Sequence, residues 1–325
     1  PYDYKGLYVE ELSEVINMEA IKAAGPKTLV DTLGGSGASY WKAIKERYGL
    51  DLTIIHDEYD PTFSFMTYDH DGKVRMDCSS PYVMESVINR IGDFDLAVGN
   101  DPDYDRYGIV ISSGLVSANS FLTMAARYLF TTRGWKNKGI GKTIVCTTMI
   151  DKWAAGVEIP VFEVPVGFKY FSQLLFDGVI GIGGEESAGA SFLKKDGTVW
   201  TTDKDGIIMA LLGMEIMAVM GKSALKMADD FAENYGEPRF GRIDAPCKKE
   251  QKQILKQLSA ELITATSVDG DPITGIRTTS MYNNMPIDGV RVETDKGWFV
   301  ARPSGTEDLY KIYGESYKGD LGLVA

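Results

Sequence analysis

The chain has 325 residues, 44% hydrophobic and 25% charged, enough for two or three domains with sizeable cores. Its formal net charge of −12 argues against nucleic acid or an anionic membrane surface as a general partner, though a local basic pocket for an anionic small molecule stays open. Three scattered cysteines without a CxxC give neither a disulfide framework nor a zinc site, and no apolar run of about 18 residues reads as a membrane span.

In chain order, the opening "PYDYKGLYVEELSEV" has neither a basic n-region nor an apolar h-region, so a cytoplasmic protein is expected. The chain opens without Met and stops just after a strand-like segment, so a fragment is expected. Residues 14–24 carry apolar positions at helical spacing and stop at Gly25-Pro26. "KTLVDTLGG" reads as a buried strand, "SYWKAIKERYG" as an amphipathic helix, "DLTIIHDE" as a strand, "PYVMESVINRIGD" as helical, and "FDLAVGN" as a third strand. This alternation predicts a parallel-rich α/β domain over 1–113.

The pattern then restarts over 114–240. A helix ("NSFLTMAARYLFTTRG") is followed by strands ("GKTIVCTTM", "VFEVPVG"), a helix ("FKYFSQLLFDG"), a strand and turn ("VIGIGGEESAGASFL") and a long apolar helix ("DKDGIIMALLGMEIMAVMG"). "YGEPRFGRIDAPC" reads as a linker. A helix ("KEQKQILKQLSAELI") and the strands "GVRVETDKGWFVARPSG" and "LYKIYGES" complete part of a smaller α+β domain, 241–325. The predicted fold is therefore α/β, two related mixed or parallel-sheet domains followed by that smaller one.

"GKT" at 141–143 lacks the glycine five positions earlier that a phosphate loop requires, since Lys136 stands there, and it runs into a strand rather than a helix. "GGSGASY" at 34–40 ends its dinucleotide register on Tyr40, so a tight turn between strand and helix is the better reading. "NDPDYDR" at 100–106 is more informative. Read as an EF-hand loop it fails, with Arg106 and Ser112 where glycine and glutamate belong. Three carboxylates at i, i+2 and i+4 (Asp101, Asp103, Asp105) can converge on one hard cation such as Mg²⁺, and the Arg106 fork beside them suits a phosphate. "GGEESAG" places Glu185 and Ser187 in a glycine-flanked turn suited to sugar hydroxyls. "RPSGTEDLYK" gathers Arg302, Ser304, Gly305, Thr306 and Lys311, hydroxyls, amides and cations fit for an anion.

Together "NDPDYDR", "PVGFK", "GGEESAG" and "RPSGTED", in that order and with "MDCSSPY" and "TTDKDGI", resemble the α-D-phosphohexomutase family over essentially the whole chain, the bacterial phosphoglucomutase branch in particular. The resemblance implies interconversion of glucose 1-phosphate and glucose 6-phosphate through a phosphoserine and glucose 1,6-bisphosphate. It implies Asp101, Asp103 and Asp105 as Mg²⁺ ligands, Arg106 beside the phosphorylated centre, and Lys169 assisting proton transfer. Glu185 and Ser187 would contact sugar hydroxyls, and Arg302, Ser304, Gly305, Thr306 and Lys311 would grip the non-reacting phosphate. Tyr107 stands where close relatives usually carry His. The family's nucleophilic serine sits in a Ser-His loop, and both histidines here follow other residues, Ile55 and Asp69. The expectation is that the N-terminal phosphoserine domain is missing and that this chain alone is inactive. A mutase for another hexose or amino-sugar phosphate, a non-catalytic sugar-phosphate binder and an aspartate-nucleophile phosphatase are the alternatives; the oligomeric state stays open.

Overall fold

The computed structural model describes residues 2–69, 72–221, 234–256, 258–304 and 308–319. In chain order it has α1 (Tyr4–Val15), α2 (Met18–Ala24), β1 (Thr28–Asp31), α3 (Ala38–Tyr48), β2 (Leu52–Ile55), α4 (Glu85–Ile88), β3 (Leu96–Asn100), β4 (Tyr107–Ile111), β5 (Gly114–Val116), α5 (Ala118–Thr132) and β6 (Gly139–Thr143). There follow α6 (Met149–Gly156), β7 (Val161–Val164), α7 (Lys169–Phe176), β8 (Ile180–Gly184), β9 (Ala190–Phe192), α8 (Gly206–Met220), β10 (Arg239–Pro246) and α9 (Lys249–Lys256). The last strands are β11 (Ser267–Val268), β12 (Asp271–Thr279), β13 (Pro286–Thr294), β14 (Gly297–Pro303) and β15 (Leu309–Ser316). The chain is mixed α/β and divides into two compact units, residues 1–140 with 171–228, and residues 141–170 with 229–325. Among the described residues no helix is long and apolar enough to cross a membrane.

The first unit is built on a five-stranded sheet in the order β2-β1-β3-β4-β5. β1 pairs parallel with β2 and β3, whereas β3–β4 and β4–β5 are antiparallel. The apolar runs of β1, β3 and β4 are buried at every position, as a sheet covered on both faces requires. One cover is α8, whose residues from Gly206 to Met217 are all buried. Each fully buried Ile, Leu or Met there contributes about 1.5–3 kcal/mol. Asp205 caps this helix by accepting from the amides of Ile207 and Ile208 at 3.1 and 3.2 Å.

Four elements differ from the sequence expectation. The helix expected over 14–24 is two helices, because Asn17 starts a new one by accepting from the Ala20 amide. The helix expected around 81–93 is a single turn, α4, followed by a 3₁₀ turn. The strand expected over 141–149 ends at Thr143, and α6 begins at Met149. The presumed linker around 235–247 contains β10, eight residues paired antiparallel with β15. Its side chains are largely exposed, so the edge strand lacks an apolar signature, and Pro246 is tolerated at its end.

The second unit contains the antiparallel order β10-β15-β14-β13-β12-β11, with Ile144, Val145, Ile287, Trp298, Val300 and Tyr313 forming a core. Buried Arg291 lies 4.2 Å from the Trp298 ring centroid and donates to the Ile144 carbonyl. Lys142 of the "GKT" segment is buried too, its ammonium held by the Asp151 carboxylate and the Thr147 carbonyl, which closes the phosphate-loop reading.

One buried carboxylate of the first unit is held by several partners. Glu215, on α8, accepts from Arg133 at 2.7 Å, from the Tyr128 hydroxyl at 2.8 Å and from the Asn17 amide at 2.8 Å. Glu215→Ala would strand the buried Arg133 guanidinium, and urea unfolding should show a loss of about 3–5 kcal/mol.

Candidate functional site

β3 delivers the chain to Asp101, and β4 takes it away at Tyr107. Between them Tyr104 adopts a left-handed φ of 64°, turning the loop so that oxygens of Asp101, Asp103 and Asp105 all lie within 4.8 Å of one another. The turn is anchored at both ends. The Arg106 amide donates to Asp101 at 2.8 Å, and the Asn100 side chain donates to the Arg106 carbonyl at 2.9 Å while accepting from the Trp41 indole at 3.0 Å. The Tyr104 hydroxyl reaches the Thr32 carbonyl at 3.2 Å.

The glycine-rich turn at 34–37 supports this loop from beneath. The Ser36 amide and hydroxyl donate to the Pro102 carbonyl at 2.9 and 3.0 Å. A Cβ on Gly35 would stand 2.6 Å from the Pro102 Cα, and one on Gly37 would stand 2.4 Å from the Tyr104 ring. These glycines are there for close approach of two loops.

The charges are incompletely paired. Burial, followed by repulsion from Asp105 and Asp103, pushes the Asp101 carboxyl up to about 8, against the hydrogen bond from the Arg106 amide. Burial alone would lower Arg106, but Asp77, Asp101, Asp105 and Glu185 outweigh it and raise its pKa. Its guanidinium nitrogens stand 3.8 Å from Asp77, 3.9 Å from Asp101 and 3.6 Å from Asp105. Lys204 lies 2.6 Å from the other Asp105 oxygen. Burial would lower the Lys204 pKa as well, and the bond and charge of Asp105 raise it instead. The donor set fits a hard divalent cation: three carboxylates converge, and burial together with their mutual repulsion raises the pKa of one of them.

A cavity of about 620 Å³ opens beside the aspartates, with Arg106, Asp77, Ser36, Tyr59 and Phe63 in its wall. The "GGEESAG" turn abuts the same loop. Arg106 forms an isolated antiparallel bridge with Gly189, and the Tyr107 amide donates to the Ala188 carbonyl at 3.3 Å. Within that turn the Glu185 amide bonds the Gly189 carbonyl at 2.8 Å, and the Glu185 side chain is buried while Ser187 is half-buried.

The first unit thus brings Asp101, Asp103, Asp105, Arg106, Glu185 and Ser187 onto adjoining loops. Lys169, Arg302, Ser304 and Lys311 lie in the second unit. Lys169 is exposed at the start of α7, 5.1 Å from the Tyr170 ring centroid. Arg302 on β14 faces Lys311 on β15 in register, with Lys311 3.7 Å from Asp244. Ser304 is buried, and its amide donates to the Leu309 carbonyl. Gly305 and Thr306 lie outside the described residues. Asp77 and Lys204 were not singled out from sequence, although both fall inside quoted motifs, "MDCSSPY" and "TTDKDGI".

Three family models match in succession: phosphoglucomutase/phosphomannomutase alpha/beta/alpha domain II at residues 7–114, domain III at 117–235, and the C-terminal domain at 244–321. The chain belongs to the phosphoglucomutase/phosphomannomutase family. A phosphoglucomutase of Komagataeibacter xylinus is 47% identical over 100% of this chain, which spans 59% of that protein's length. A phosphoglucomutase/phosphomannomutase family protein from Burkholderia thailandensis has a similar fold, with a TM-score of 0.71 at 21% identity, covering 98% of this chain and 61% of that one. An Aspergillus fumigatus N-acetylphosphoglucosamine mutase, solved in complex with glucose 1,6-bisphosphate, aligns with a TM-score of 0.59 at 15% identity, over 96% of this chain and 61% of that one.

Two measurements test the loop. Because a cation must displace the proton on Asp101, Mg²⁺ affinity should rise about tenfold per pH unit between about pH 6 and 8, measured by calorimetric titration. Without cation the sign is reversed for stability: the raised carboxyl stabilises the folded chain at low pH, and that contribution disappears as pH rises through about 8. Gly35→Ala should push Pro102 away, lowering thermal stability by about 1–3 kcal/mol and weakening Mg²⁺ binding. Unchanged Mg²⁺ binding in that variant would show that the glycine turn does not shape the aspartate loop.

Proposed function

We propose that the full-length protein is a cytoplasmic, Mg²⁺-dependent phosphoglucomutase, interconverting glucose 1-phosphate and glucose 6-phosphate through a phosphoserine and glucose 1,6-bisphosphate. The observation that carries the reading is the convergence of Asp101, Asp103 and Asp105 beside Arg106, on a loop bridged to the Glu185 turn. The 47% identity to a relative named phosphoglucomutase supports the choice of glucose. Three free, buried cysteines suit a reducing compartment. The modules are taken as 1–113, 114–240 and 241–325, with the phosphoserine assigned to the part of the relatives' length that this chain does not span.

In this reading Asp101, Asp103 and Asp105 hold Mg²⁺, which neutralises charge on the phosphoryl oxygens during transfer. Arg106 orients the phosphoryl group with its guanidinium fork. Glu185 and Ser187 fix the sugar through its hydroxyls, and Lys169 moves the proton at the reacting sugar oxygen. Arg302, Ser304, Gly305, Thr306 and Lys311 hold the phosphate that is not reacting. That phosphate changes identity when the bisphosphate reorients, so its grip must serve either end of the sugar.

Asp103→Asn in the full-length protein should reduce turnover about a hundredfold or more while leaving the fold intact. Arg302→Ala should act mainly through KM, since the phosphate it holds is present in ground and transition states alike. A coupled assay with glucose, mannose and glucosamine phosphates separates the glucose reading from mutases for other sugars. The 325-residue chain by itself should convert nothing, even with Mg²⁺ and glucose 1,6-bisphosphate. Turnover that scales with its concentration and vanishes on Asp103→Asn would overturn the assignment of the phosphoserine.

A further inference from the structure

Three carboxylates stand 3.6 to 3.9 Å from the Arg106 guanidinium, with Glu185 also acting on it by charge, and the three are not equivalent. Asp101 and Asp105 belong to the converging triad, and Asp105 is also engaged by Lys204. Asp77 comes from a different loop and faces the other end of the guanidinium, Nη1 rather than Nε. Its own orientation is fixed. One carboxylate oxygen accepts from the Ser79 amide at 3.0 Å and from the Ser79 hydroxyl at 2.7 Å, and the backbone carbonyl accepts from the Ser80 amide at 2.9 Å. This turn leaves the second oxygen, Oδ2, free of Ser79 and pointing at Arg106 from 3.8 Å.

All three separations exceed hydrogen-bond length, so among the described residues the guanidinium fork is held by charge alone and stays open to the cavity that Asp77 and Arg106 both line. A divalent cation on the aspartates changes that balance. Its charge offsets most, though not all, of the negative charge of Asp101, Asp103 and Asp105, so the pull of Asp101 and Asp105 on Arg106 weakens. Asp77, at the other end of the guanidinium and outside the triad, then carries with Glu185 a larger share of the attraction on Arg106, and of these two Asp77 lies 3.8 Å from Nη1.

We propose that Asp77 is the positioning residue for Arg106, keeping the guanidinium aimed into the cavity once the aspartate loop has bound its cation. The inference rests on the assignment of Asp101, Asp103 and Asp105 as the cation site. The competing account is that Asp77 merely builds its turn. Asparagine separates the two, because its amide oxygen can still accept from Ser79 while the charge facing Arg106 is gone.

The test uses the full-length protein. Asp77→Asn should lower kcat by about tenfold to a hundredfold, as small misplacements of a positioned group do, with KM and melting temperature unchanged. Asp77→Glu, which keeps the charge, should recover part of the loss. A readout independent of turnover is the Nε–H resonance of Arg106 in ¹⁵N-arginine-labelled protein, assigned by its disappearance in Arg106→Lys. In the parent protein this signal should stay resolved when Mg²⁺ is added. In Asp77→Asn it should be resolved without Mg²⁺ and broaden or move toward the position of solvated arginines with it. Normal kcat together with an unmoved resonance overturns the proposal, and so does a loss of kcat that tracks a lower melting temperature. Absence of any Mg²⁺-dependent shift at Asp101, Asp103 and Asp105 in the parent protein identifies a failure of the cation site itself, and the role of Asp77 falls with it.

Discussion

Everything at this site follows from forcing three like charges into one turn. Two carboxylates a few ångströms apart repel, and burial of one of them makes the repulsion worse. The backbone must therefore hold the turn against its own side chains. It does so through the left-handed Tyr104, the Arg106 amide on Asp101 and the Asn100 clasp on the Arg106 carbonyl. The glycine turn, the Trp41 indole and the N-terminus of α8 reinforce it from three sides. Position 206 excludes a side chain, because a Cβ there would lie 2.1 Å from the Arg106 carbonyl oxygen.

The rest of the molecule treats buried charge differently. Glu215 meets an arginine, a tyrosine hydroxyl and a backbone amide, and Glu163 meets Arg277 at 2.7 Å. Burial would raise the pKa of Glu163, but the Arg277 bond and the charges of Lys142 and Arg291 bring it below the usual range. These two carboxylates are held by donors on other elements. Asp101 instead faces two further carboxylates, and burial raises its pKa, a contrast that supports the reading of this loop as a ligand site.

Local patterns in the sequence were legible where function and neighbours along the chain coincide. The i, i+2, i+4 aspartates, the buried strands β1 and β3 and the apolar helix α8 all declare themselves within a few residues. What stayed hidden depends on partners far away. Gly35 and Gly37 look like an ordinary tight turn until Pro102 and Tyr104 are placed against them, some 65 residues on. Asp77 and Lys204 are unremarkable charges until the fold sets them around Arg106 and Asp105. The edge strand β10 carries glycine, proline and exposed side chains, so only its partner β15 reveals it.

The bridge between Arg106 and Gly189 has a thermodynamic corollary. Two loops joined by backbone pairing are ordered by shared bonds, so a ligand that stiffens one would stiffen the other. A ligand arriving first at the aspartates spares a ligand at the Glu185 turn part of its ordering entropy. The favour is returned in equal measure, since coupling between two binding equilibria has a single value whichever is filled first. On the proposed assignment of these loops to cation and sugar, one short stretch of irregular β-pairing would make the two cooperative without any change in the mean structure.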